Sequence, residues 1–377
     1  MTIKICNKCI CDSTITEIEF DKNNICSYCN KFIPILEKKR QSNKNLQEFN
    51  EQINKIKKSR GNYNCLIGVS GGVDSSYLVH LAKKNSLKPL LVHFDNGWNS
   101  ELAVSNIKKI AEKNNFDLQT YVVNWKEFKD IQRSFIKSGV IDIELVTDHA
   151  IFSNLFKTAK KNNIKYILSG TNIFTEHAMP RSWIWRKTDF RNIKSIHKKY
   201  GRIKIKTYPR MNLLTWYISK YFNFGVKTLE LLNLIDYKKN KSIKELNEVY
   251  NWKNYEEKHY ESFFTKFYQS YILPKKFNID KRIVHYSCLI RNSEINREEA
   301  LETYNKNKFD PNNEGSFQDD IKYFCKKLDF DLNEFEKIME EKPVSHFEFD
   351  NSEKIFQFLK KLYISINEKK NINYPSS

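Results

Sequence analysis

The sequence contains no run of about 18 apolar residues, which excludes an α-helical membrane span. No apolar segment precedes the first polar cluster in Met1-Thr2-Ile3-Lys4-Ile5-Cys6, so a soluble, cytoplasmic protein is expected. No internal repeat is visible, which argues against a solenoid or propeller. No Gly-x4-Gly-Lys-Ser/Thr motif occurs at the one glycine-rich loop of interest, which excludes a Walker A nucleotide site there. Acidic residues are the scarcer charge: 45 Asp+Glu stand against 64 Lys+Arg, a formal net charge of +19. A field of that sign favours anionic partners such as nucleotides, acidic sugars, nucleic acid or an anionic membrane surface. The excess is also spread over ordinary helix faces such as Lys108-Lys109 and Lys160-Lys161, as a biased composition alone would give. A chain of 377 residues leaves room for two or three globular units.

The chain has eight cysteines, five of them within the first 29 residues. Without a secretion signal, clustered pairs read as metal ligands before disulfides. Cys6-x2-Cys9 is followed, after 16 residues, by Cys26-x2-Cys29, the spacing of a four-cysteine Zn2+ site, with a disulfide or iron–sulfur arrangement as the alternatives. Four thiolates close the metal's shell, so the role is structural. A module this short has too little core to fold without a staple. Cys11 falls outside the pair spacing. Cys65, Cys288 and Cys325 stand alone and read as core.

An α/β alternation follows. Apolar runs at 65–69, 89–94, 118–123 and 165–169 read as strands. Between them, 75–84, 100–115, 125–138 and 148–163 read as helices, and a further helix is expected within 37–61. Strands separated by helices of this length imply a parallel sheet with right-handed crossovers. Ligands bind such sheets at the carboxyl ends of the strands. Polar clusters lie there at 70–76, 95–100 and 170–176. The alternation stops near 180, and helices are expected at 260–271, 296–304 and 333–341. The expected division is a zinc module at 1–35, a nucleotide domain at 36–180, a basic substrate-binding region at 181–310, and a helical region of unknown role at 311–377.

Ser70-Gly71-Gly72-Val73-Asp74-Ser75-Ser76 stands where the first strand hands over to a helix. Gly71 and Gly72 allow a tight turn whose N–H groups form an anion nest. The following helix adds its positive end, and the serines add hydroxyl donors. Asp74 fits a helix cap or a magnesium ligand.

This loop resembles the pyrophosphate loop of the N-type ATP pyrophosphatases, which implies an adenine-nucleotide α-hydrolase-like fold and cleavage of ATP between its α and β phosphates. Further segments are similar to the N-acetyl sugar amidotransferase family: the four-Cys module, Phe94 to Ser100, Thr147-Asp148-His149-Ala150, Ser169-Gly170-Thr171-Asn172, and the stretch from Glu261 to Arg282. That family acts on bacterial surface sugars, including the pseudaminic acid branch, with flagellin glycosylation or lipopolysaccharide as the destination. The resemblance spans most of residues 1–305. It implies conversion of an N-acetyl group into an acetamidino group, through adenylation of the amide oxygen and displacement of AMP by ammonia.

On that reading, Ser70, Gly71, Gly72, Asp74, Ser75 and Ser76 hold the departing pyrophosphate. Asp95 and Asn96 lie near the adenosine, and Gly170 allows close approach to the nucleotide. Thr171 and Glu176, with Asp74, are candidates for Mg2+. Lys275, Lys276, Lys281 and Arg282 are cations for the outer phosphates. His149, His177 and His259 are candidates for proton transfer. Trp183, Trp185 and Arg186 form either a sugar platform or one face of a buried strand. The chain has neither an N-terminal cysteine nucleophile nor a Gly-Cys-Gly signature, so a separate glutaminase subunit, or free ammonia, is the expected nitrogen source. A tRNA-thiolating enzyme of the same superfamily would share the loop, the module and the charge. It needs a reactive cysteine near the nucleotide, and no Cys-x2-Cys pair lies outside the module. A non-catalytic nucleotide-binding zinc protein would bind ATP without releasing pyrophosphate.

Overall fold

The fold is taken from a computed structural model, which describes residues 3–221, 225–255, 260–306 and 315–368. Its frame is a parallel sheet of β1 (Cys65–Val69), β2 (Pro89–Asp95), β3 (Leu118–Val122), β4 (Tyr166–Leu168) and β5 (Lys227–Leu229), in the order β3-β2-β1-β4-β5. Two helices, α1 (Ser27–Gln41) and α2 (Asn43–Lys57), precede it. The crossovers carry α3 (Val73–Lys84), α4 (Glu101–Asn114), α5 (Trp125–Ser138) and α6 (Leu145–Lys161). After β4 come α7 (Ile173–Glu176), α8 (Phe190–Tyr200) and α9 (Leu213–Tyr221). After β5 the chain is helical: α10 (Lys239–Tyr250), α11 (Phe263–Phe267), α12 (Leu273–Phe277), α13 (Arg282–Arg291), α14 (Arg297–Lys306), α15 (Gln318–Leu328), α16 (Leu332–Glu340) and α17 (Glu353–Glu368).

The strand pattern explains the layers. Side chains alternate across a strand, so Cys65, Ile67 and Val69 face α2 and α3 while Leu66 faces α6. β1 is buried on both faces, as a central parallel strand must be, whereas β3 is an exposed edge. Because β2 and β4 flank β1 on opposite sides, the chain changes direction between β1 and β4. That switch point opens a crevice at the strands' carboxyl ends.

Four strands and their helices fall where periodicity puts them. β5 is the difference: three residues, Lys227–Leu229, paired to β4 beyond the end of the α/β alternation near residue 180. A strand this short carries no readable period. The helix expected within 37–61 is two helices, broken at the extended Ser42. The segment from Phe263 to Phe277 is helical throughout but widens to a π turn at Tyr268–Ile272. It packs with α5, α15 and α16 in a second apolar core around Phe135, Phe267, Phe324 and Phe335. A third core joins the cysteine module to α13 and α14 through Ile10, Ile283, Val284 and Ala300.

Candidate functional site

The turn after β1 is built by glycine. Gly71 has φ +84°, and a Cβ there would stand 2.7 Å from the Ala103 carbonyl oxygen. Gly170, at the end of β4, lies so close to the turn that a Cβ would come within 3.1 Å of the Ser75 amide. Ser70 Oγ accepts from Gly72 N–H at 3.3 Å, and Ser75 Oγ donates to the Gly72 carbonyl at 3.2 Å. The N-terminus of α3 faces a cavity of about 320 Å3 lined by Ser70, Gly72, Asp74, Ser75, Gly170, Thr171, Glu176, Lys239 and Glu261.

Three aromatic side chains from distant sequence grip this loop. The Tyr237 hydroxyl donates to the Asp74 carboxylate, and burial, then Asp74 itself, hold that phenol well above its ordinary pKa. Trp252 donates its indole N–H to Ser76 Oγ at 3.1 Å. Tyr255 donates to the Gly71 carbonyl at 3.0 Å. No local pattern marks these residues, which reach the loop from more than 160 positions away.

A larger cleft of about 460 Å3 shares Ser70, Gly170, Thr171 and Glu261 with the first cavity. One part runs along the strand ends, past Val69, Val92, Phe94, Asn96 and Leu168. The other is ionic, with Glu144, Asp148, Lys187, Lys281 and His285 in its wall. Lys187 Nζ donates to both oxygens of Asp142 at 2.9 and 2.7 Å and lies 3.0 Å from Asp148. Burial opposes ionisation of Asp142, but Lys187 and Lys281 outweigh it and hold the carboxyl below the usual carboxylate range. Burial pushes the Asp148 carboxyl up, against the pull of Lys187. Lys281 stands 3.4 Å from Glu144 and 5.0 Å from the centre of the Tyr268 ring. A smaller cavity of about 150 Å3, with Lys239, Lys266, Arg282 and His285 in its wall, adjoins both.

The structure therefore gathers Ser70, Gly72, Asp74, Ser75, Gly170, Thr171 and Glu176 on one cavity and Asn96 and Lys281 on the next. Arg282 lines the third and is bound to Asp280 at 2.6 Å. Other candidates are placed elsewhere. Ser76 turns inward to Trp252, and Asp95 accepts from Gly97 N–H at 2.9 Å to close its own turn. Lys276 donates to the Ile338 and Glu341 carbonyls at the end of α16, and Lys275 lies over the Tyr271 ring. The lysine that does line the loop's cavity among the described residues is Lys239.

His149 is not in the wall of any of these cavities. It is 1 % exposed, Nε2 accepts from Met211 N–H at 3.3 Å, and Nδ1 donates to the Lys187 carbonyl at 2.9 Å. Burial lowers its pKa to about 4. His177 is similarly enclosed, and His259 lies outside the described residues. Trp183 and Trp185 lie in different apolar clusters, and neither belongs to a strand. Trp183 is buried against the cysteine module, Trp185 stacks on His346 at 4.8 Å, and Arg186 pairs with Glu353.

The four module sulfurs lie within 4.8 Å of one another, with Cys6–Cys29 at 3.9 Å and Cys9–Cys26 at 3.7 Å. A tetrahedron with Zn–S bonds of about 2.3 Å has edges of about 3.8 Å, so the cysteines fit a single metal ion. Among the described residues no other group of His, Cys, Asp and Glu is gathered this closely.

This arrangement, a parallel sheet with a glycine-serine loop at its switch point, is a PP-loop-type fold. Residues 56–259 match the asparagine synthase family, and residues 261–363 match the C-terminal domain of the WbpG-like LPS biosynthesis proteins. The first match covers more than half of the chain, so the protein belongs to the asparagine synthase family, with a WbpG-like C-terminal domain. The pairing agrees with the resemblance to N-acetyl sugar amidotransferases. An uncharacterised protein of Methanocaldococcus jannaschii is 27% identical over 181 residues, 47% of this chain and 62% of that one. The chain thus spans about three fifths of that relative's length. An NH3-dependent NAD synthetase from Campylobacter jejuni aligns at a TM-score of 0.28 and 16% identity, covering 34% of this chain and 57% of that one. A U34-tRNA thiolase from Methanococcus maripaludis, solved with its [4Fe-4S] cluster, aligns at 0.34 and 12%, covering 80% and 89%. Likenesses this remote leave the chemistry to the residues themselves.

Proposed function

We propose that the protein is an ATP-dependent amidotransferase that converts the N-acetyl group of a bacterial surface sugar into an acetamidino group. The observation that carries this reading is the continuity of the loop's cavity with the ionic cleft through Ser70, Gly170 and Thr171. A phosphate chain on the loop would then present its α-phosphate to a polar molecule held beside Lys187, Lys281 and Asp148.

The steps balance without a redox partner. The amide oxygen bonds to the α-phosphorus, and the bond to pyrophosphate breaks. Ammonia then bonds to the imidate carbon, AMP leaves with the former amide oxygen, and a proton is released. Loop amides, the N-terminus of α3 and Lys239 would stabilise the departing pyrophosphate. Asp74 and Glu176 line the cavity without forming a closed cation cage. They suit Mg2+ shared with phosphate oxygens, the usual coordination of that ion. Apolar strand ends beside Asn96 suit the adenosine. The cysteine module would hold a structural Zn2+, and a separate glutaminase subunit would supply the ammonia.

The test is to incubate the protein with ATP, Mg2+, ammonia and a panel of N-acetyl sugars. AMP formation with a product lighter by about one mass unit, as oxygen becomes NH, is the expected result. AMP formation that requires tRNA and a sulfur donor instead would overturn the sugar reading.

A further inference from the structure

The cysteine module and the nucleotide cavity are joined by α13. On one face Arg282, His285, Tyr286 and Leu289 line the cavities, while on the other Val284, Ser287, Cys288 and Arg291 are buried toward the module. Each set follows the three- and four-residue spacing of a single helix face. Ser287 Oγ accepts from Ile10 N–H at 3.2 Å, fixing the module to the helix.

Arg291 ends α13 and is 4 % exposed. Its Nη1 donates to Cys9 Sγ at 3.4 Å and lies 3.8 Å from Cys29 Sγ, so it touches two of the four sulfurs that fit the metal. Its Nε donates to His177 Nε2 at 2.8 Å. A guanidinium can only donate, so His177 Nε2 must accept. The ring proton therefore sits on Nδ1, which donates to the Ile173 carbonyl at 2.5 Å. Cys288 donates its thiol to the His177 carbonyl at 2.7 Å, and Phe32 of α1 packs on the imidazole at 4.8 Å. His177 is thus held from the module side by Arg291, Cys288 and Phe32 and grips α7 through the Ile173 carbonyl. Glu176, the residue before it, lines the loop's cavity.

We propose that Arg291 and His177 are positioning residues that couple the metal of the Cys6, Cys9, Cys26 and Cys29 module to binding of Mg-nucleotide at the loop, so that each ligand tightens the other. The module is then more than a staple: it sets where Glu176 and Thr171 stand. This rests on reading the Ser70–Ser75 cavity as a nucleotide site. Linkage makes the coupling reciprocal, which gives a readout independent of turnover.

The experiment uses the full chain loaded with zinc. Calorimetry measures binding of the magnesium complex of α,β-methylene ATP, which cannot be cleaved at that bond. A zinc-selective chelator measures zinc loss with and without that nucleotide. In the wild type the nucleotide should tighten zinc binding about tenfold, so that at equilibrium about tenfold more free chelator is needed to remove half of the zinc. His177→Asn keeps a donor toward Ile173 but is too short to place an acceptor where Nε2 meets Arg291, and Arg291→Lys cannot span both sulfurs and the imidazole. Both variants should still load zinc, bind the nucleotide about tenfold more weakly and lose the protection. A merely structural role would lower the melting temperature without abolishing protection. Nucleotide binding with no change in zinc affinity in the wild type overturns the coupling and leaves the proposed function standing. No binding by the wild type overturns both. If neither variant folds, the wild-type comparison decides by itself.

Discussion

The Tyr237 hydroxyl donates a hydrogen bond to the Asp74 carboxylate, across 163 positions of sequence. Burial keeps the phenol protonated, so it can serve only as donor to that carboxylate under ordinary conditions. Tyr237→Phe keeps the ring in its buried seat and removes this one bond. A hydrogen bond to a charged group is worth about 1.5–3 kcal/mol, so Mg-nucleotide affinity should fall about tenfold or more. The melting temperature should fall by about a few degrees as well, because the folded chain loses the same bond. Calorimetry against a thermal melt separates the two, and unchanged affinity would mean that Asp74 does not meet the nucleotide.

Much of this fold was legible from period and punctuation. Cys65 to Val69 followed by two glycines reads as strand and phosphate loop, and the structure places both at the switch point. The cysteine spacing likewise foretells the gathered sulfurs. What escaped was non-local. Trp252 and Tyr255 are two aromatics among many until folding carries them to Ser76 and Gly71. Lys276 and Lys239 look alike in sequence, yet one ends on α16 carbonyls and the other on the loop's cavity. Charge shows what a side chain can bind, and only packing decides what it reaches.

Lys187, in the wall of the ionic cleft and 25 % exposed, pairs with the fully enclosed Asp142 behind it. Lys187→Met leaves that carboxylate with one cation fewer, at a cost of about 3–5 kcal/mol. A lower urea midpoint should report it. Adding Asp142→Leu removes the stranded charge and should restore a large part of the loss, since apolar replacement of a buried pair is often close to neutral. Equal loss in the single and double variants would show that the uncompensated charge is not the cause.

Stability should fall as pH drops from about 6.5 to about 4. His149 and His346 are both 3 % exposed or less, and burial lowers each to about 4 from an ordinary value of 6.5. Below 6.5 the unfolded chain binds protons at these positions that the folded chain refuses. Each histidine therefore removes about 1.4 kcal/mol per pH unit across that window, and nothing above it. Urea titrations at pH 5 and pH 7 measure the difference. His346→Gln should flatten the slope by one proton even though it also lowers stability at pH 7. An unchanged slope would mean that His346 already carries its proton in the folded chain.

Lys239 and Lys276 give a paired test of which cation serves the phosphates. Lys276 Nζ lies among the Ile338 and Glu341 carbonyls, where it satisfies groups that the end of α16 leaves open. Lys276→Met should cost about 1–3 kcal/mol of stability and leave Mg-nucleotide affinity within about twofold. Lys239, at the first turn of α10, lines both the loop's cavity and the small cavity beside it. Lys239→Met should weaken Mg-nucleotide binding about tenfold while leaving adenosine binding unchanged, because adenosine carries no phosphate for the ammonium to meet. The opposite result, with Lys276→Met weakening the nucleotide and Lys239→Met not, would move the phosphates away from the α10 side of the loop.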